Sequence, residues 1–241
     1  MTDKRVSLER PIAVFDLDGT LADTAPDLIA ALNAALATEK LPPLAFDQAR
    51  DLIGAGARAL ILRGLHEAGY TTVDDAQLDR MFRQFLDYYG THINDYTTLF
   101  PGVPEALDRL RDEGWLLAVC TNKYEKHSIQ LLEMLGIENC FNAICGRDTF
   151  PFFKPDPRHL TLTIDRAGGA HNRAIMVGDS QTDIKTARAA GIPVVAVPFG
   201  YSDIPVADLG PDRLIQHFDE LWTAAVELTG FTSMRAKISV S

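Results

Sequence analysis

Cysteine is scarce in this chain and follows no pattern. Cys120, Cys140 and Cys145 are the only thiols in 241 residues, and none forms a CxxC pair. The odd count fits no closed disulfide framework, and the spacing gives no zinc motif. Reduced thiols in a cytoplasmic protein are the expectation. Basic charge is also short: 23 Lys and Arg face 33 Asp and Glu, a formal net charge of −10. A broad nucleic-acid face needs the opposite balance, so nucleic acid is not an expected partner. An anionic membrane surface is disfavoured on the same ground. Long apolar runs are missing, since nothing approaches the roughly 20 residues of a membrane span. The opening residues, MTDKRVSLERP, are charged and carry no apolar secretory segment. No internal repeat and no low-complexity tract interrupts the chain. What remains is ordinary globular material, 46% apolar and 23% charged. Its length suits one large domain or two modest ones, working as a monomer or a small homo-oligomer.

Short apolar runs bounded by turn residues occur at 12–15, 115–120, 141–144, 174–177 and 193–197. Strands buried on both faces of a parallel sheet have this character. Helical patterns lie between them, over 103–112, 125–135, 157–168 and 181–190. Several end at a glycine: Gly114, Gly136, Gly168 and Gly191. The alternation predicts an α/β fold with a doubly wound, Rossmann-like parallel sheet. One interval breaks the rhythm. Residues 16–114 separate the first strand from the second, far more than a crossover requires. They read as helices near 26–39, 46–54, 57–68 and 74–90, with no convincing strand. Rooted just beyond the first strand, where open α/β sheets bind ligands, this insertion reads as a helical cap domain. The expected division is a core of residues 1–22 and 97–241 and a cap of residues 23–96, with a loosely held tail after residue 229.

The strand ends carry the chemistry. The first strand runs AVF into Asp16-Leu17-Asp18-Gly19-Thr20, with Asp23 shortly after. Crowded carboxylates repel one another, so an ordinary loop gains nothing from them. The second strand ends in Thr121-Asn122-Lys123, the segment after the third holds Lys154-Pro155, and the fourth ends in Gly178-Asp179-Ser180, with Asp183 beyond. Taken singly, each has a bland reading as a turn residue, a helix cap or a solvated lysine. Taken together on one rim they suit phosphoryl transfer. Asp16 is placed as the nucleophile, splitting one hard step into two. Asp18 can serve the leaving group as general acid and then an attacking water as general base. Thr121, Asn122 and Lys154 offer donors and positive charge to the phosphoryl oxygens. Asp179 and Asp183 complete the surroundings of a hard divalent cation, Asp183 through water or Lys154.

With DLDGT (16–20), TN (121–122), KP (154–155) and GDSQTD (178–183) in this order, the sequence resembles the haloacid dehalogenase superfamily of phosphohydrolases. The resemblance spans nearly the whole chain and matches the family's cap of the first type. The dehalogenases proper lack an acid at the place of Asp18, which disfavours carbon–halogen hydrolysis. Finer stretches resemble the phosphoglycolate phosphatases: FDLDGTLADTAPDL (15–28), FPGVPEAL (100–107), LAVCTNK (117–123), KPDPRHL (154–160), MVGDSQTDI (176–184) and FGYSD (199–203). That resemblance implies Mg²⁺, a phosphoaspartate intermediate and 2-phosphoglycolate as substrate. It implies Asp16, the backbone carbonyl of Asp18 and the Asp179 side chain as metal ligands.

Such a substrate carries a carboxylate beside its phosphate and calls for a second cation above the site. The segment Ile53-Gly54-Ala55-Gly56-Ala57-Arg58-Ala59-Leu60 is the candidate, with Arg58 reaching the carboxylate bidentately and Arg63 as a second choice. Rival readings are a phosphomutase, a phosphatase for a sugar phosphate, nucleotide or pyrophosphate, and a non-catalytic binding protein. A phosphonate hydrolase needs a lysine over the site, and the cap's only lysine, Lys40, sits beside Leu41-Pro42-Pro43. Phe152-Phe153, directly before Lys154, has no evident role at this level.

Overall fold

A computed structural model describes residues 10–46, 53, 56–70 and 72–231. The chain runs β1 (Ile12–Phe15), β2 (Ala22–Asp23), α1 (Ala25–Thr38), α2 (Ala57–Glu67), α3 (Asp75–Thr91), β3 (Thr98–Leu99), α4 (Val103–Asp112), β4 (Leu116–Cys120) and α5 (Glu125–Met134). It continues through β5 (Ala143–Cys145), α6 (Pro157–Ala167), β6 (Ala174–Gly178), α7 (Gln181–Ala190), β7 (Val194–Ala196), β8 (Arg213–Leu214) and α8 (Leu221–Thr229). Six strands form a parallel sheet in the order β5-β4-β1-β6-β7-β8. In register, Phe15 lies between Val119 and Val177. The path leaves β1 toward β4 on one side and reaches β6 on the other. A crevice therefore opens above the carboxyl end of β1, the place where doubly wound sheets hold ligands.

The pleat explains the continuous apolar runs. Ala13, Phe15, Leu117, Val119, Ile175 and Val177 face one layer, with Leu107 and Leu110 of α4 and Ala224 and Ala225 of α8. Ile12, Val14, Ala118, Cys120 and Met176 face the other, with Leu160 and Ile164 of α6 and Ile184 and Ala187 of α7. Each strand is apolar at every position because both of its faces are covered.

Between β2 and β3 the chain forms a separate helical layer. Leu28, Leu32 and Leu36 of α1, Leu60, Ile61 and Leu65 of α2, and Met81, Phe85 and Tyr89 of α3 are buried at helical spacing. Its two ends are tied together. β2 and β3 pair antiparallel, Ala22 opposite Leu99 and Asp23 opposite Thr98. The Asp27 carboxylate accepts the backbone N–H of Tyr96 (3.1 Å) and of Thr97 (2.9 Å) and the Thr97 hydroxyl (2.6 Å). This ladder, β8 and α8 were not expected from the sequence; the two-residue strands leave no periodic signal, and the nine-residue α8 was missed as a helix. The expected helix over 46–54 falls largely on residues 47–52 and 54, outside the described residues, as does the tail from residue 232. Among the described residues no helix is long and apolar enough to cross a membrane.

One core residue couples the fold to pH. His159 on α6 is fully buried, and its Nε2–H donates to the Gly146 carbonyl at 3.1 Å. Burial, with the nearby Lys154 charge, pushes its pKa down from 6.5 to about 4. The folded value lies below the unfolded one, so stability is lost as pH falls from about 6.5 toward about 4. Melting temperatures across that range are expected to fall less steeply in His159→Gln than in the parent. Parallel slopes would assign the acid sensitivity to other groups.

Candidate active site

β1 delivers Asp16 to the crevice, with its backbone N–H donating to the Val177 carbonyl at 2.9 Å. The chain then turns sharply. Gly19 has φ +82, and a Cβ there would lie 2.5 Å from Asp179 Oδ2, so only glycine lets the turn pass this close.

Lys154 reaches the same point from the segment after β5. Only 2% of it is exposed. Its Nζ lies 2.9 Å from Asp16 Oδ1 and 2.6 Å from Asp183 Oδ1. Burial alone would lower a lysine's pKa; the Asp16 and Asp183 carboxylates more than reverse it and keep the ammonium charged. Asp183 is fixed in turn by α7. Its Oδ2 accepts the Ser180 N–H (3.1 Å) and hydroxyl (2.6 Å), a reciprocal cap at the helix start. Asp179, at the end of β6, accepts the Thr20 hydroxyl at 2.8 Å and the Tyr201 N–H at 2.7 Å.

Asp16, Asp179 and Asp183 each bring a carboxylate oxygen within 4.8 Å of the others. Burial pushes Asp16 up to about 6 against the pull of Lys154, and pushes Asp179 up to about 8, with neighbouring carboxylates adding in both cases. Three carboxyl groups face one ammonium here, and their crowding in a buried place opposes ionisation of all three together. A hard divalent cation with oxygen ligands is the species such a donor set accommodates.

The second strand end completes the rim. Thr121 is 1% exposed, and its Oγ1 accepts the Lys123 N–H at 3.2 Å. Asn122 Nδ2 donates to the Lys154 carbonyl at 3.0 Å, while its Oδ1 is buried without a partner among the described residues. Lys123 was not singled out from the sequence, although it follows the Thr-Asn pair directly. Its Nζ donates to Asp18 Oδ1 at 2.7 Å and lies 4.5 Å from the Tyr89 ring centre. Asp16, Asp18, Thr121, Asn122, Lys154, Asp179 and Asp183 are thus brought together. Asp23, the third acid of the opening stretch, turns away and accepts the Tyr201 hydroxyl at 2.6 Å.

A cavity of about 70 Å³ lies over the rim. Asp16, Asp18 and the Thr121–Tyr124 stretch line one side, and Leu60, Phe85, Leu86 and Tyr89 line the other. His127 and Arg147 close the flank. The expected cation of the insertion is not there. Arg58 forms an ion pair with Asp79 and stacks over Phe82, 5.2 Å from the ring centre, so its charge is already engaged within the helical layer. Neither Arg58 nor Arg63 lines the cavity.

The family model for haloacid dehalogenase-like hydrolases matches residues 13–197. A phosphoglycolate phosphatase of Mesorhizobium japonicum is 53% identical over 91% of this chain and 96% of its own. One from Agrobacterium fabrum is 44% identical over 94% and 96%. A crystal structure of a predicted phosphoglycolate phosphatase from Haemophilus somnus superposes with a TM-score of 0.83 at 33% identity, covering 90% of this chain and 99% of that one.

Lys154 holds two buried carboxylates at once, and removing it strands both. Lys154→Met is expected to cost about 3–5 kcal/mol in urea unfolding. Adding Asp183→Asn to that variant should recover part of the loss. A double variant no more stable than Lys154→Met would show that the two groups are not coupled.

Proposed function

Because the chain belongs to the haloacid dehalogenase-like hydrolase family and is a phosphoric monoester hydrolase, we propose that it converts 2-phosphoglycolate to glycolate and phosphate, with Mg²⁺ and through an aspartyl-phosphate on Asp16. The observation that carries this reading is the pairing of two carboxyls with different surroundings. Asp16 is buried against Lys154, and the more exposed Asp18 lines the cavity, held by Lys123.

In the first step an Asp16 oxygen attacks phosphorus, and the bond to the ester oxygen breaks. Asp18 gives its proton to the departing alkoxide, which leaves as glycolate. In the second step Asp18, now a carboxylate, takes a proton from water as that water attacks phosphorus. The bond to Asp16 breaks and phosphate is released. Lys154 and the donors of Thr121 and Asn122 face the equatorial oxygens, where charge spreads in the transition state. Asp16, the Asp18 backbone carbonyl and Asp179 would hold Mg²⁺, with Asp183 behind them through Lys154. The ion supplies positive charge against the phosphoryl oxygens and offsets the charge of the acidic cluster.

Residues 23–96 act in this reading as the cap over residues 1–22 and 97–241. Its apolar lining excludes water, which would otherwise compete for every charged contact. A cavity of about 70 Å³ favours a small ester, since sites for drug-sized ligands span roughly 300–1,000 Å³. That weighs against a nucleotide or a sugar bisphosphate. No lysine of the insertion lines the cavity, which gives a Schiff-base reaction no support.

Phosphate release with Mg²⁺ from a panel of small esters is expected to show the highest kcat/KM for 2-phosphoglycolate. Chelation should abolish it and added Mg²⁺ restore it. Asp16→Asn should be inactive, and Asp18→Asn should lose about 10²- to 10⁴-fold in kcat. A clear preference for another ester would sink the substrate assignment and leave the hydrolase.

A further inference from the structure

The proposed substrate has two anionic ends, and the strand ends account for only one. We infer that Arg147, on the loop after β5, recognises the second, the carboxylate, and so selects phosphate esters that carry one. This inference rests on the reading of the cavity as the site for a small phosphate ester.

Arg147 lines the same cavity as Asp16 and Asp18. Its guanidinium faces the start of α2: one terminal nitrogen lies 3.5 Å from where a Cβ on Gly56 would stand. Gly56 caps α2 with φ +88, no side-chain cap and no acidic residue in the helix's first turn. A guanidinium therefore meets the positive end of an 11-residue helix, and among the described residues it forms no ion pair. Two positive potentials converging in a confined space repel unless an anion comes between them. Tyr89, a residue 2% exposed, also lines this cavity, and its hydroxyl is buried with no partner among the described residues. A buried hydroxyl left without a partner costs stability, and a carboxylate is an acceptor it can use.

The loop is built to hold Arg147 in place. The Arg147 N–H donates to the Lys123 carbonyl at 2.9 Å, tying the loop to the end of β4. The guanidinium lies 4.8 Å from the Phe153 ring centre and 5.7 Å from that of Tyr124. Phe153 is thus a positioning residue, which accounts for an aromatic directly before Lys154. Phe152 does the same for a different arginine, Arg158, 3.5 Å from its ring centre and exposed to solvent. A planar guanidinium fixed between rings suits the two oxygens of a carboxylate, a match that an ammonium lacks.

The test compares 2-phosphoglycolate with ethyl phosphate, in which a methyl replaces the carboxylate. The quantity read is the ratio of their kcat/KM values. Arg147→Met is expected to lower that ratio by about 10- to 100-fold, the loss of a charged hydrogen-bonded pair. Arg147→Lys should fall in between, Phe153→Leu should lower the ratio less, and Arg158→Met should leave it at the parent value. Ethyl phosphate turnover reports that each variant is folded. A ratio unchanged in Arg147→Met, or an equal loss on both esters, overturns the inference and leaves the proposed function standing. A parent enzyme with no preference for 2-phosphoglycolate over ethyl phosphate overturns both.

Discussion

One buried ammonium organises the whole rim. Lys154 lies between Asp16 and Asp183, and each of those carboxylates is also the end of a structural element. Asp16 terminates β1, and Asp183 caps α7. Without the lysine, burial would drive the carboxyls toward their neutral forms, and the strand ends would lose what fixes them. Its charge does not neutralise the cluster. Asp179 still has its pKa raised by burial and by Asp183 and Asp16. The rim is thus short of positive charge by design of its parts, a deficit that suits a divalent cation and a phosphoryl group arriving together.

Topology decides where this deficit appears. β1 sits at the centre of the sheet, and the chain leaves it in both directions. The helical layer is inserted immediately beyond the acid-bearing turn, closed at its root by the β2–β3 ladder and by Asp27. A short, pinned root lets an apolar layer lie over the crevice while its buried side chains run on into the core on one face of the sheet.

Much of this was legible in the sequence, for a physical reason. A parallel strand buried on both faces must be apolar throughout, so a polar side chain at its end marks the point where burial gives way to chemistry. Asp16, Thr121 and Asp179 announce themselves in that way. What was not legible depends on partners far away in sequence. Asp23 resembles its neighbours Asp16 and Asp18, yet Tyr201 engages it. Arg58 resembles a substrate cation, yet Asp79 and Phe82 occupy it. Lys123 passes for a loop residue until its contact with Asp18 is seen. No local pattern distinguishes a free guanidinium from an engaged one.

The division of labour between the two layers follows from where charge can be held. The described faces of the helical layer at the cavity are apolar apart from Tyr89 and the start of α2. The core supplies Lys123, Lys154 and Arg147, each anchored on or beside a strand end. Charges anchored at a rigid sheet edge keep their spacing. One loop carries both Arg147 and Lys154, and its aromatic residues brace the first while the second is buried. In the proposed reading the distance between the substrate's two anionic ends is therefore measured by a single core segment. The helical layer covers it and contributes the positive end of α2, which adds to a selection made by the core.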